Sequence, residues 1–110
     1  MGADIPWMIR QGDVLLIAVD KIPADSELLP RDAQNRVVLA YGEATGHAHA
    51  LYESGVQMLR AANADEFLRV AETAFLRHEE HTHILVPSGL YRVVRQREYV
   101  PETRSRPVSD

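Results

Sequence analysis

The sequence predicts a mainly β protein: a small single-domain β-barrel or β-sandwich of about six to eight short strands, with room for one short helix. Short apolar runs rich in valine, isoleucine and leucine recur along the chain. Turn-forming residues separate these runs at intervals of about 8–12 residues, as in small all-β domains. The 110 residues, 45% hydrophobic and 25% charged, suit one globular domain.

The first half of the chain gives three strands. Residues 13–20 form a short aliphatic run bounded by aspartates, which favours a buried strand. Residues 21–35 contain two prolines and several turn formers, so we expect a surface loop that includes at most one helical turn. Residues 36–41 (RVVLAY) are the second strand. Residues 42–46, which begin and end with glycine, then make a tight connection to a third strand over 47–52.

The middle of the chain is ambiguous between helix and strand. A turn at Ser54-Gly55 leads into a strand over 56–59. Residues 63–80 have apolar side chains at helical spacing, but they also divide into two short strands, 66–70 and 73–77. We expect the two strands, because the neighbouring segments are short and β-like.

The last third of the chain gives two more strands. Residues 83–86 are a strand, 87–89 (PSG) a turn and 90–100 a long final strand. The sequence becomes polar after that point. We therefore expect one β domain over 1–100 and a polar tail over 101–110.

Composition disfavours several classes of protein. The chain has no cysteine, so disulfides and thiolate metal sites are excluded, and a metal would be bound by His, Asp or Glu. The first residues, MGADIPWMIRQGD, do not resemble a secretory signal, and no apolar run is long enough to span a membrane. We therefore expect a cytoplasmic protein with no membrane partner. The net charge of −4 disfavours bulk attraction to nucleic acid.

Arginine is concentrated near the C-terminus. Lys21 is the only lysine, and the arginines of the last fifth are Arg92, Arg95, Arg97, Arg104 and Arg106. Such side chains bind phosphate or carboxylate well. The alternative is a solvated strand face, which is the more common origin of a charge run.

All five histidines fall into two segments, residues 46–49 (GHAH) and 78–83 (HEEHTH). In a strand, His47 and His49 share a face because side chains alternate. His78 and His81 would share a side in a helix, or in a two-residue hairpin with the glutamates between them at its tip. The grouping predicts one site formed by both segments.

Neutral imidazole is the commonest metal ligand, and three or four such groups suit a divalent transition metal such as Zn, Fe, Mn or Ni. The candidate ligands are His47, His49, His78 and His81. Glu53 is the next candidate ligand, Glu79 and Glu80 could orient imidazoles, and Glu53 or Glu80 would move protons in a catalytic site. A metal-free histidine site for acid–base chemistry and a set of surface histidines without a role are the alternatives.

Part of this pattern resembles the cupin family. Cupins have a glycine, an HxH pair and a glutamate, followed later by a PxG segment; the matching positions are Gly42, His47, His49, Glu53 and residues 87–89. The first spacer is one residue short, and Arg92 stands where the pattern has a third histidine. The resemblance implies a small β-barrel with His47, His49 and Glu53 directed into its mouth around a divalent metal, and His78 or His81 as the substitute ligand.

Three functions remain open at this stage. The first is a metal-binding domain or metal-dependent enzyme that acts on a small-molecule substrate. The second is a metal-free RNA-binding or RNA-processing protein that uses histidines and the arginine row, with steep salt dependence of binding. The third is a non-catalytic interaction module that forms a homo-oligomer.

Overall fold

The computed structural model describes residues 7–41 and 47–96, which form ten β-strands and no α-helix. The strands are β1 (Met8–Gln11), β2 (Val14–Val19), β3 (Glu27–Leu28), β4 (Val37–Tyr41), β5 (Ala48–Leu51), β6 (Val56–Arg60), β7 (Glu66–Val70), β8 (Ala74–Leu76), β9 (Ile84–Val86) and β10 (Gly89–Arg95). The predicted mainly β class is confirmed. The predicted strand count is too low because β1 and β3 lie outside the predicted segments.

The largest sheet has six antiparallel strands in the order β1-β2-β10-β7-β6-β3. β10 therefore lies at the centre, where its Val93 pairs with Leu16 of β2 and with Glu66 of β7. Within the described residues the edge strands β1 and β3 do not pair with each other. The sheet is open, so the domain is not a closed barrel.

The remaining four strands form a second layer. β4 pairs with β5, and β8 pairs with β9, both antiparallel. A single bridge joins the two pairs: the amides of Ala50 and Arg77 each donate to the other residue's carbonyl at 2.9 Å. This bridge gives the layer the order β4-β5-β8-β9.

The two layers share one apolar core. The six-stranded sheet contributes buried side chains such as Leu16, Leu68 and Tyr91, and the second layer contributes Leu51 and Leu76. Burial alternates along much of β2 and β10, since successive side chains of a strand point to opposite faces. Burying one leucine side chain contributes about 1.5–3 kcal/mol to stability, so the core holds the layers together.

Two hairpins meet beside this core. The β1–β2 hairpin turns directly after Gln11, where Gly12 has a φ of 59°, a left-handed conformation that glycine adopts without strain. Residues 77–83 connect β8 to β9. The side-chain amide of Gln11 donates to the carbonyls of Leu76 and Thr82, both at 2.9 Å. Gln11 thus ties the end of the first hairpin to the loop of the second.

The ambiguous stretch at 63–80 contains two strands, as expected. β7 has the predicted bounds 66–70, and β8 lies inside the predicted 73–77. The loop over 21–35 contains the two-residue strand β3 and no helical turn.

Several predictions fall partly outside the described residues. β10 ends at Arg95, so Gln96 of the predicted final strand lies outside it, and residues 97–100 and the predicted tail over 101–110 lie beyond the described part of the chain. Gly42 and Gly46 also lie outside it. Among the residues that are described, no helix has the length and apolar character needed to cross a membrane.

Candidate metal centre

Four imidazole rings lie together beside residues 77–83. The ring of His78 is in the middle, with its centre 4.3 Å from that of His49, 4.6 Å from that of His81 and 5.7 Å from that of His47. The rings of His49 and His81 are 5.6 Å apart and tilted by only 21°. The structure therefore brings together the four histidines that the sequence proposes as one site.

The backbone register explains why the two segments meet. The bridge between β5 and the end of β8 sets an antiparallel register. Continued by one residue, this register places His49 opposite His78, and opposite residues of an antiparallel pair share a face. One more step places Ala48 opposite Glu79, whose Oε1 accepts a hydrogen bond from the Ala48 amide at 3.2 Å. The strand and the loop therefore run side by side through the cluster.

The segment that carries His78 and His81 is neither a helix nor a two-residue hairpin, which corrects both predictions for it. β8 and β9 end their pairing at Leu76 and Ile84, and residues 77–83 form a wide loop. A tight hairpin turn needs residues that adopt positive φ readily, and two consecutive glutamates do not meet that need.

Gln11 fixes the protonation of His49. Both residues are buried, with 2% and 4% of their surfaces exposed. Because the amide nitrogen of Gln11 donates to the carbonyls of Leu76 and Thr82, its Oε1 faces His49 Nδ1 at 2.8 Å and accepts a hydrogen bond from it. Nδ1 thus carries the ring proton, and in the neutral ring Nε2 presents a lone pair, the arrangement of a metal-ligating histidine.

The turn after Gln11 lies close to the rings of His49 and His81. Asp13 Oδ1 is 3.7 Å from His49 Nε2. A Cβ added to Gly12 would lie 3.0 Å from His81 Nε2 and 3.1 Å from His49 Cε1. Because Gly12 has no Cβ, the two imidazole rings can lie against the turn. Asp13 offers a carboxylate at the edge of the site.

His78 is buried and neutral at pH 7. Burial, and after it the charge of neighbouring His81, lowers the pKa of His78 below its ordinary value, although Glu79 opposes the change. The backbone amide of Glu80 donates to His78 Nδ1 at 3.0 Å, so Nε2 carries the ring proton in this arrangement. Ligation by His78 would require this contact to break.

The remaining histidine of the cluster is held by a glutamate of the loop. His47 Nδ1 lies 3.3 Å from Glu80 Oε2, and the Glu80 side chain is largely exposed. Hydrogen bonds from its own amide and from that of Ala48 lower the pKa of the Glu79 carboxyl, so Glu79 is ionised at neutral pH. Both glutamates attach the loop to the start of β5.

The spacing of the nitrogens decides which set suits a metal. One ligand atom from each of His49, His78 and His81 lies within 4.8 Å of the others, and the same holds for His47, His78 and Glu79. Metal–nitrogen bonds of about 2.0–2.1 Å in tetrahedral geometry place ligand nitrogens about 3.4 Å apart. The distances between ligand atoms in either set would therefore shorten by at most about 1.4 Å around an ion.

Glu53 lies away from the histidines. Its carboxylate accepts hydrogen bonds from the amides of Phe75 at 3.1 Å and Tyr52 at 3.2 Å, and it lies 3.6 Å from an Nη of Arg77. Within the described residues it forms no ion pair with a histidine. The cupin resemblance implies that Glu53 points toward the same metal as His47 and His49, but β5 ends at Leu51, two residues before Glu53.

The two described arginines of the C-terminal row each face a carboxylate. Arg92, which stands where the cupin pattern has a histidine, lies 3.4 Å from Asp65 Oδ1, and Arg95 pairs with Glu66. Arg97, Arg104 and Arg106 lie outside the described residues.

The sequence favours residues 11–13 as the turn that leads into the first strand over a functional loop, so Gln11 and Asp13 are not among the predicted site residues. Both belong to the hairpin of β1 and β2, which was not predicted because residues 8–11 include two polar side chains. The signal was present: a Gly-Asp pair directly before an apolar strand is a known hairpin turn sequence.

Comparison with known proteins places the chain in a family. No curated protein and no solved structure matches the sequence significantly. A family model matches residues 10–96, a span that includes Gln11, Asp13 and all five histidines. The chain belongs to the family described as "Domain of unknown function (DUF8820)".

Proposed function

We propose that the protein binds a divalent transition metal ion, such as Zn, Fe, Mn or Ni, through His49, His78 and His81. The observation that supports this most directly is the buried hydrogen bond from His49 Nδ1 to Gln11, which makes Nε2 the ligand atom that a neutral His49 offers. Three imidazole nitrogens within 4.8 Å of one another provide the donor set.

The surroundings suit a cation. The distance of 3.7 Å between His49 Nε2 and Asp13 Oδ1 is close to the spacing of two ligands on one tetrahedral ion, about 3.4 Å. Without an ion, a protonated His49 would attract the Asp13 carboxylate directly. Metal titration distinguishes this direct ion pair from a shared metal ion. Asp13 is our candidate for a fourth ligand.

A metal with an open coordination position would polarise a substrate oxygen or activate water. Of the two glutamates predicted to move protons, Glu80 contacts the cluster through His47, whereas Glu53 does not. In a catalytic version of this site, Glu80 would hold or transfer a proton at its exposed carboxylate.

Metal titration of the purified chain tests the proposal. After treatment with a chelator, the protein should take up about one equivalent of Zn²⁺ or Co²⁺, with a Co²⁺ visible absorption typical of nitrogen ligation. His49→Ala and His81→Ala should each weaken binding by more than the 10–100-fold expected for loss of an orienting residue. His83→Ala is the matched control, since His83 lies in the same loop but in neither ligand set.

The folded state of each variant is checked by circular dichroism. The proposal fails if the folded wild-type chain takes up no ion, or if His49→Ala and His81→Ala bind the ion as tightly as His83→Ala.

A further inference from the structure

A groove of about 480 Å³ lies over β5 on the face opposite His49. Ala48 and Ala50 form its floor, and side-chain alternation directs the intervening His49 to the other side of the strand. The two methyl groups leave a depression that larger side chains would fill. Its volume is in the range of small-molecule sites, about 300–1,000 Å³.

Arg77 lies in the wall of the groove with unused hydrogen-bond donors. Its guanidinium carbon is 5.6 Å from the ring centre of Tyr52 and 5.7 Å from that of Phe75, and these two rings hold it in place. Its ion pair with Glu53, at 3.6 Å, is longer than a hydrogen bond. Its Nε is buried and has no hydrogen-bond partner among the described residues. A carboxylate in the groove would pair with the Nη groups of this guanidinium, since the Arg77 side chain as a whole is 40% exposed.

An opposite charge lies further along the same wall. Glu79 also lines the groove, two residues beyond Arg77, and two residues of extended chain span about 6.6 Å. One oxygen of its carboxylate accepts a hydrogen bond from the Ala48 amide at 3.2 Å, which fixes the position of the group. The groove thus has a cation and an anion along one wall, beside an apolar floor.

We propose that this groove binds a small, flat organic molecule with a carboxylate at one end and an amine at the other. The carboxylate pairs with Arg77, the amine pairs with Glu79, and the flat body lies on Ala48 and Ala50 beside Tyr52. The proposal does not depend on a bound metal. His78, which lies between Arg77 and Glu79 in the chain, also lines the groove and belongs to the histidine cluster, so the groove and the cluster are adjacent.

Three probes of similar size separate the two charged ends. 4-(Aminomethyl)benzoate carries both groups, benzoate carries only the carboxylate, and benzylamine carries only the amine. Each is titrated into the metal-free full-length chain, and binding is followed through the backbone amide signals of Ala48, Ala50 and Arg77 in ¹H–¹⁵N spectra. We expect the two-ended probe to bind about 5–10-fold more tightly than either single-ended probe.

Two conservative variants test which residue binds each charged end of the probe. Arg77→Gln should remove the advantage of the two-ended probe over benzylamine, and Glu79→Gln should remove its advantage over benzoate. Glu72→Gln, on the exposed turn before β8, is the control for a change of charge and should leave all three affinities unchanged. Equal affinity for all three probes, or saturable shifts confined to residues outside the groove, would overturn the proposal. So would unchanged probe selectivity in both folded variants.

Discussion

The buried amide of Gln11 makes three hydrogen bonds that belong to three different segments. It donates to Leu76 at the end of β8 and to Thr82 in the loop, and it accepts from His49 on β5. A buried polar group that loses one partner leaves the others unsatisfied, at a cost of about 1–3 kcal/mol each. The position of His49 and the path of the loop therefore depend on the same side chain.

Replacing Gln11 with leucine should lower both stability and metal affinity. The apolar side chain keeps the volume but leaves the carbonyls of Leu76 and Thr82 and the His49 Nδ1–H without partners. We expect a loss of about 2–4 kcal/mol in the free energy of unfolding, measured by urea denaturation. Affinity for Zn²⁺ should fall about 10–100-fold, measured by calorimetry.

Gln11→Glu is the matched comparison. The carboxylate still accepts from His49 but cannot donate to the two carbonyls, so this variant should keep more of the metal affinity while losing stability. A leucine variant with wild-type stability would contradict the role assigned to the amide.

The hydrogen bonds also predict opposite tautomers for two neighbouring histidines. In the metal-free protein at pH 7.5 or above, His49 should carry its proton on Nδ1 because it donates to Gln11, and His78 on Nε2 because it accepts from Glu80. Long-range ¹H–¹⁵N spectra of the rings distinguish the two forms. Zn²⁺ should leave the His49 tautomer unchanged and alter the His78 signals and the Glu80 amide. The same tautomer at both rings would contradict the assigned hydrogen bonds.

At the scale of elements, strands with several consecutive β-branched or aliphatic residues were predictable, and half-polar strands were not. The segment 66–70 was recognised because its neighbours are short and β-like, and β7 has those bounds. β1 was missed because Gln11 occupies one of its two buried positions, where an apolar residue is expected. β3 is too short, at two residues, to produce a pattern.

The candidate site was predictable only as far as local geometry reaches. His47 and His49 were predicted together because residues two positions apart in a strand share a face. That prediction needs only their spacing in the sequence. The contact between β5 and the loop depends on the bridge between Ala50 and Arg77, which pairs residues 27 positions apart and leaves no local signal. The cupin likeness and the metal ligands stay predictions, since neither follows from the strand arrangement.

The turn of the β1–β2 hairpin gives a prediction about an element rather than a side chain. Gly12→Ala should destabilise the hairpin in two ways, because alanine at φ 59° costs about 1–2 kcal/mol and its Cβ meets the rings of His49 and His81. Thermal unfolding should occur at a lower temperature, and the ring signals of both histidines should shift.

Gly12→Asn separates the two causes. Asparagine tolerates the left-handed conformation, so it should recover most of the stability, but its Cβ still meets the rings and should still shift their signals. Ring signals that stay in place in both variants would show that the turn does not contact the cluster.

At the scale of the whole molecule, a network of three charged side chains links the two layers. Glu66 on β7 pairs with Arg60 on β6 and with Arg95 on β10, and Arg95 Nε donates to the carbonyl of Leu39 on β4 at 2.7 Å. The six-stranded sheet is thus connected to the second layer by hydrogen bonds as well as by the shared core. The connection lies away from the histidine cluster, so it can be tested without disturbing the metal centre.

Acid should weaken this connection in a defined pH range. Burial raises the pKa of the Glu66 carboxyl, but hydrogen bonds from Arg60 and Arg95 outweigh it, and the net pKa lies below the ordinary value of 4.5. Because the folded pKa is the lower one, Glu66 stabilises the fold above pH 4.5, and this contribution is lost as the pH falls through the folded pKa.

Glu66→Gln should therefore reduce the free energy of unfolding at pH 7 by about 1–3 kcal/mol. The difference from wild type should shrink steadily below pH 4.5. Urea denaturation at several pH values measures it, and Glu72→Gln, which removes the same charge from an exposed turn, should show no such dependence. A difference between wild type and Glu66→Gln that stays constant from pH 7 down to pH 3 would show that the ionised carboxylate does not hold the layers together.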